Sequence, residues 1–476
     1  MKRFIIALAV AVAALPMAAQ LRLPEIFTDN MVLQRDKAVE VWGRALPGAK
    51  VTVEFGKQKV SATADSAGEW HLQLAPMSAD SRPRSLKVAS GKQKIRLDDV
   101  LVGEVWLASG QSNMEYNMGS KWVSNGKRTI TPKHSPDLQR QAVERIMRAD
   151  STRPGSAEPL MRILRVEKNL DCDTLPTAGW TKISGESIDK FSACAYFFGK
   201  NLADSLGVPV GIIASTWGGT PIERWKDDGG RCFSKMIKPM APYTIRGFLW
   251  YQGESNLIQG HFARYYDMSR ELIDNWRGLF RDGADMPFYF VQLAPYRYST
   301  RRGDSAVSSW ESLPVFQRWQ DRVARDVPNT ACVVISDLVD EGEIDDIHPT
   351  FKWEVGRRLA DTALKNTYGR TRIIDRGPEV KSWHCEGDSI IVQFNTHGSG
   401  LRTRDGKAPN HFEVMHDNNR WGPASAILDG NTVILTATNG RPIKNFRMAW
   451  DETYQTNLCN TEGLPANNFN STFEYR

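Results

Sequence analysis

The pattern of hydrophobic positions changes character twice along the chain. From Leu21 to about Asp98 apolar and polar residues alternate between turn signals, as in "KAVEVWGRALPGAKVTVEFGKQKVSATADSAGEWHLQLAP". Alternation with period two puts one face of each strand on a core and the other in water, and turns every ~8–12 residues are the mark of a small β-sandwich. Trp42, Trp70 and Leu72 are its predicted core. From about Val100 to Thr367 the runs become short and uniformly apolar: "VWLAS", "VGIIAST", "GFLWYQ", "FYFVQLAP" and "CVVISDL". Between most of them lie amphipathic stretches such as "DKFSACAYFFGKNLADSLG" and "ARYYDMSRELIDNWRGLF", and "EVGRRLADTALKN" closes the set. Strands covered on both faces lose their alternation, so this pattern predicts an α/β domain built on a largely parallel sheet. After Tyr368 alternation returns in "DSIIVQF", "HFEVMH", "TVILTAT" and "NFRMAW", predicting a β-rich module. The plan is therefore a β-sandwich-like domain over 20–98, an α/β domain over 99–367 and a β-rich module over 368–476. The polar, proline-dotted segment 116–159 breaks the alternation and reads as an insertion, either a surface loop or a lid.

The first nineteen residues stand apart. Lys2 and Arg3 precede the apolar run Phe4 to Leu15, which Pro16 breaks and the small residues Ala18 and Ala19 follow. This is the pattern of a secretory signal peptide, with cleavage expected near Ala19 and a secreted or periplasmic mature protein. The run is shorter than the ~18 residues a membrane span needs, and no later segment approaches that length. A formal charge of +6 on 476 residues, scattered among acids, gives no reason to expect nucleic acid as a partner. The six cysteines are far apart and form no C-x-x-C, so zinc held through cysteine is not expected. One or two disulfides would be compatible with export, and Cys332, inside "ACVVIS", reads as a buried thiol.

In a parallel α/β sheet, ligands bind beyond the carboxyl ends of the strands, so the loops that follow the predicted strands belong together. They carry "GQSNME" with Ser112, "STWGGTPIERW" with Gly218 and Gly219, "YQGESN" with Gln252, Glu254 and Asn256, and "DEGEIDDIHPT" with Asp345, Asp346 and His348. A serine hydroxyl becomes a nucleophile when a base takes its proton, and imidazole is suited to that near neutrality. Ser112 is thus the candidate nucleophile and His348 the candidate base. Asp345, three residues before His348, is the candidate for holding the ring, with Asp346 read as an acid at the start of the closing helix; without such an acid the site is a Ser–His dyad. Backbone N–H groups of Ser112 and Gly219, with a side-chain amide from Gln252 or Asn256, would form an oxyanion hole. Arg224 and Glu254 are the candidate substrate-binding residues; Arg224 reads equally well as a surface residue or a partner of Glu223.

"GQSNME", "GGTPIERW", "WYQGESN" and "DDIHPTFKWEVGRRLA", in this order, resemble the SGNH-hydrolase superfamily and, within it, the bacterial sialate O-acetylesterase family. "RLPEIFTDNMVLQRD" near the start and "NLCNTEGLPANNF" near the end resemble that family's flanking signatures, so the resemblance covers nearly the whole mature chain. It implies a flavodoxin-like esterase domain with β-domains around it, removing O-acetyl groups from sugars, sialic acid foremost, without a metal or organic cofactor. Two other readings compete. An SGNH esterase acting on acetylated xylan would carry the same blocks, because the sugar is read by loops. A non-catalytic glycan-binding protein would account for the flanking β-domains and the fifteen tryptophans, though not for a serine, oxyanion donors and a histidine on one rim.

Overall fold

The computed structural model describes residues 20–118, 160–281, 283, 286–300, 309–339, 344–398 and 400–475. The expected signal peptide and most of the expected insertion, 119–159, lie outside them.

The N-terminal strands are β1 (Val32–Gln34), β2 (Val39–Arg44), β3 (Lys50–Phe55), β4 (Gln58–Thr63), β5 (Glu69–Leu74), β6 (Asp80–Ser90) and β7 (Gln93–Gly110). Strands β2 and β5 form an antiparallel pair of their own, while β4, β3 and β6 run in antiparallel order to β7. Inward positions are apolar as the alternation requires: Val51, Val53 and Phe55 on β3, Trp70, Leu72 and Leu74 on β5. Trp42 packs on this core while partly exposed.

The central sheet adds β8 (Met161–Val166), β9 (Thr177–Lys182), β10 (Val210–Thr216), β11 (Gly247–Tyr251), β12 (Phe288–Val291) and β13 (Thr330–Val333), in the order β13-β12-β11-β7-β10-β8-β9. Every neighbouring pair is parallel except β8 with β9. Strand β7 is common to both regions. Its first part pairs with β6 and β1, and its last residues pair with β10 on one side and β11 on the other. The domain boundary expected at 98–99 therefore falls inside one continuous strand.

Helices cover both faces of this sheet: α1 (Ser112–Glu115), α2 (Ala193–Leu206), α3 (Glu254–Ile258), α4 (Phe262–Leu279), α5 (Ser312–Asp326) and α6 (Lys352–Asn366). Alternate strand residues assign the faces. Trp250, Phe288 and Phe290 meet Tyr265, Leu272 and Val323 of α4 and α5. Trp106 and Tyr289 stack on the other side, where Trp106 also meets Phe198 of α2 and Tyr289 bonds Thr367 just beyond α6. Helix α2 starts with the Ser192 hydroxyl accepting from the Ala195 N–H and ends at Gly207, whose φ of 65° suits a left-handed cap.

The C-terminal module is an antiparallel sheet of β14 (Glu379–Glu386), β15 (Ser389–Asn395), β17 (Phe412–His416), β18 (Trp421–Asp429), β19 (Thr432–Ala437), β20 (Ile443–Met448) and β22 (Phe469–Asn470), while β16 (Leu401–Thr403) pairs with β21 (Leu458–Asn460). Its core, including Ile390, Val392, Val414, Leu435 and Phe446, is separate from the large core that the other two regions share. Polar contacts join the module to the central sheet. Gln292 Nε2 donates to Asn467 Oδ1, Asn468 Nδ2 to Gln317 Oε1, Arg318 Nη1 to the Asn468 carbonyl, and Arg447 pairs with Glu311. None of the six cysteines is in a disulfide; Cys194, Cys232 and Cys459 are buried thiols, Cys172 and Cys332 are half-buried and Cys385 is exposed.

Candidate active site

Strand β7 delivers Ser112 to the carboxyl edge of the sheet through a tight exit. Gly110 adopts φ of 137°, and a β-carbon there would lie 2.1 Å from the Tyr251 carbonyl oxygen, so only glycine lets β7 and β11 remain paired to their ends. Gln111 N then donates to that carbonyl, and Ser112 begins the single turn of α1 with 8% of its surface exposed. Gly218 abuts it: a β-carbon on Gly218 would come within 3.2 Å of Ser112 Cβ. Gly218 N donates to Glu115 Oε2 at 2.5 Å, and the other Glu115 oxygen pairs with Lys168. Gly219, at φ of 74°, is exposed with open space in front of it.

The next residue, Asn113, binds two other loops. Its Nδ2 donates to the Ile347 carbonyl at 2.9 Å and to Glu254 Oε1, while its Oδ1 accepts from Lys352 Nζ at 2.6 Å. The loop carrying His348 is thereby fixed to the residue beside Ser112. Within that loop the Asp346 carboxylate accepts from the backbone N–H of His348 at 2.9 Å and lies 3.2 Å from the ring Nδ1. This is an aspartate bonding its own turn two residues on, and the same bond carries its oxygen to the imidazole. Asp345 is turned away. It is exposed and pairs with Arg297 Nη1 at 3.1 Å, so the D-x-x-H spacing does not bring it to the ring.

Gln252 and Asn256 also depart from their expected part. Gln252 Nε2 donates to Gln111 Oε1, Thr220 O and Asn256 Oδ1; Asn256 Nδ2 donates to Glu223 Oε2, and its Oδ1 accepts from Ile222 N. Both amides are wholly buried and engaged in tying the loops after β7, β10 and β11 together. Glu254 lies beneath the rim, 1% exposed, where burial pushes its carboxyl up against the pull of the Asn113 hydrogen bond and the charges of His348 and Lys352. Arg224 is exposed on the 3₁₀ turn Ile222–Trp225. Glu223 bonds Asn256 and faces His261 instead, and Arg224 makes no ion pair among the described residues.

Sequence reasoning passed over Asn113, Lys352 and Gln111 as functional positions, although all three lie in the quoted motifs. Among the described residues no group of three or more His, Cys, Asp or Glu could hold a metal ion, and no helix is long and apolar enough to cross a membrane.

The family model of a carbohydrate esterase, sialic acid-specific acetylesterase, matches residues 102–365, from the middle of β7 to the end of α6. The sialate O-acetylesterase of Pongo abelii is 30% identical over 491 residues, covering 90% of this chain and 87% of its own length. That of Homo sapiens is 30% identical over 412 residues, covering 75% and 73%. A carbohydrate acetylesterase from Xanthomonas citri superposes with a TM-score of 0.81 at 31% identity, covering 95% of this chain and all of that one. The protein is therefore a carbohydrate esterase, a hydrolase of carboxylic esters. It belongs to the sialic acid-specific acetylesterase family.

Proposed function

We propose that the protein is an exported sialate O-acetylesterase working through an acetyl-enzyme, on a flavodoxin-like SGNH domain over 99–367 with β-domains at 20–98 and 368–476. The observation that carries the site assignment is the bond from Asn113, next to Ser112, to the carbonyl of Ile347, next to His348. Ser112 Oγ attacks the acetyl carbonyl while His348 takes its proton, and the oxyanion is met by the backbone N–H groups of Ser112 and Gly219. The imidazolium returns the proton to the departing sugar oxygen. Water, activated by the same ring, then attacks the acetyl-serine and releases acetate. Asp346 holds the ring through Nδ1 and offsets the charge it gains. No step needs a metal or an organic cofactor.

The acetyl group needs only a small pocket, so selectivity must come from groups that read the sugar. Sialic acid carries a carboxylate, and Arg224, exposed on the same loop as Gly219 with no partner among the described residues, is available to it. Replacing Ser112 by Ala is expected to lower kcat by a factor on the order of 10⁶ with the fold intact. Activity within tenfold of the unaltered protein would refute the nucleophile. For the substrate, kcat/KM is compared on O-acetylated sialic acid, its carboxyl methyl ester and a neutral acetylated sugar. Preference for the free acid supports the reading; equal rates leave a broader carbohydrate acetylesterase, as the Xanthomonas citri relative is described. Export is checked by sequencing the N-terminus of the mature protein, expected near Gln20.

A further inference from the structure

Beneath Ser112 and His348 an acid and a base are buried together without touching. Glu254, on α3, and Lys352, the first residue of α6, are 1% and 0% exposed. The Asn113 side chain stands between them, its amide nitrogen donating to Glu254 Oε1 and its oxygen accepting from Lys352 Nζ. Lys352 also donates to the Pro349 carbonyl at 2.7 Å, one residue beyond His348, and its ammonium lies over the rings of Tyr116 and Tyr251. Asn113 holds the carbonyl on the other side of His348, that of Ile347. The histidine is thus flanked in sequence by two anchor points of one bridge. The second Glu254 oxygen is buried with no hydrogen-bond donor among the described residues, so its charge is little dispersed. In so dry a place each full charge acts at a distance on a neighbour that must itself become charged.

We infer that Glu254, Asn113 and Lys352 form a positioning bridge that seats His348 and sets the pH at which it takes up a proton, Glu254 favouring the imidazolium and Lys352 opposing it. This rests on His348 being the general base. Among the described residues, Asp346 meets the ring at Nδ1, Asp345 on the same loop is held by Arg297, and Glu115, on α1 with Ser112, is held by Lys168 and the Gly218 N–H. Cys194 and Tyr251, next to Lys352, stay neutral because burial pushes both upward. The two bridge charges are therefore the ones whose removal should move the ring in opposite senses, a signature that general loosening of the loop would not give.

The test uses the full mature chain with a chromogenic acetyl ester. The acid limb of kcat/KM is measured for the unaltered protein, Glu254→Gln and Lys352→Met, and His348 is titrated by NMR in the same three proteins carrying Ser112→Ala. Glu254→Gln should move the His348 titration to lower pH and Lys352→Met to higher pH, each by roughly half a unit or more. Shifts of the same sign, or none in either variant, would overturn the bridge. Should Lys352→Met not fold, Glu254→Gln decides alone: a titration that stays in place or rises refutes it. A His348→Ala variant with normal turnover would instead refute the base assignment, while the NMR titration would still report on the bridge.

Discussion

Two neighbouring aspartates separate what a motif can specify from what it leaves to the backbone. Asp345 and Asp346 are chemically equal, and the D-x-x-H spacing that favours Asp345 does not fix which of them reaches the ring. The turn decides, because Asp346 accepts the N–H of His348 and arrives at Nδ1, whereas Asp345 leaves the loop toward Arg297. Asp346→Asn should therefore reduce kcat on the order of 10²-fold or more by releasing the ring, and Asp345→Asn should change it only a few-fold. Steady-state rates of the two variants on one acetyl ester make the comparison; equal mild losses would favour a Ser–His dyad. The same limit applies to Gln252 and Asn256. Their position after β11 was legible in "YQGESN", but which partners would claim their amides depended on Gln111, Thr220, Ile222 and Glu223 arriving from two other loops.

Strand β7 shows how patterning can mislead about a boundary. Its first half alternates because one face meets water, and its second half is buried throughout and mostly apolar, so the change of period marks a change of surroundings within one element. The apolar runs themselves located five of the six parallel strands of the central sheet, β7, β10, β11, β12 and β13, and missed β8. At the strand's end, Gly110→Ala should abolish turnover and destabilise the fold by at least about 2 kcal/mol, since the new methyl must displace the Tyr251 carbonyl at a backbone angle reserved for glycine. Activity and thermal melting read both effects. At the strand's middle sits Glu104, fully buried between Arg35, Arg246 and Gln34. Burial works to raise its carboxyl, but the bonds from Arg246, Arg35 and Gln34 together outweigh it and leave the group below its ordinary value near 4.5. A carboxylate so lowered stabilises the fold fully above the ordinary value, and that contribution is lost as pH falls through the lowered one. Glu104→Gln should thus cost about 3–5 kcal/mol near neutrality, with the gap to the unaltered protein narrowing in acid. Urea melts at several pH values measure the gap, and a difference constant with pH would refute the assignment.

For the molecule as a whole, polar side chains, several of them buried amides, join the C-terminal module to the central domain. Asn468 serves Gln317, Pro314 and Arg318 of the central domain at once. Asn468→Ala should cost about 1–3 kcal/mol by stranding the Pro314 carbonyl and the Gln317 side chain, a loss visible in denaturant melts while turnover at low temperature is retained. That these asparagines lay in "NLCNTEGLPANNF" marked the segment as distinctive, yet its partners are some 150 residues away in sequence and invisible to any local pattern. The shared strand also has a bearing on synthesis. Residues 93–103 find their partners, β6 and β1, in chain already made, but residues 104–110 pair only with β10 and β11, which leave the ribosome about a hundred or more residues later. Through that interval the stretch "EVWLASG", just ahead of the nucleophile, has both edges open and only Glu104 to repel another strand. A nascent chain arrested between Ser112 and Tyr251 is thus the form most exposed to aggregation, and a helper that shields emerging strands would act there.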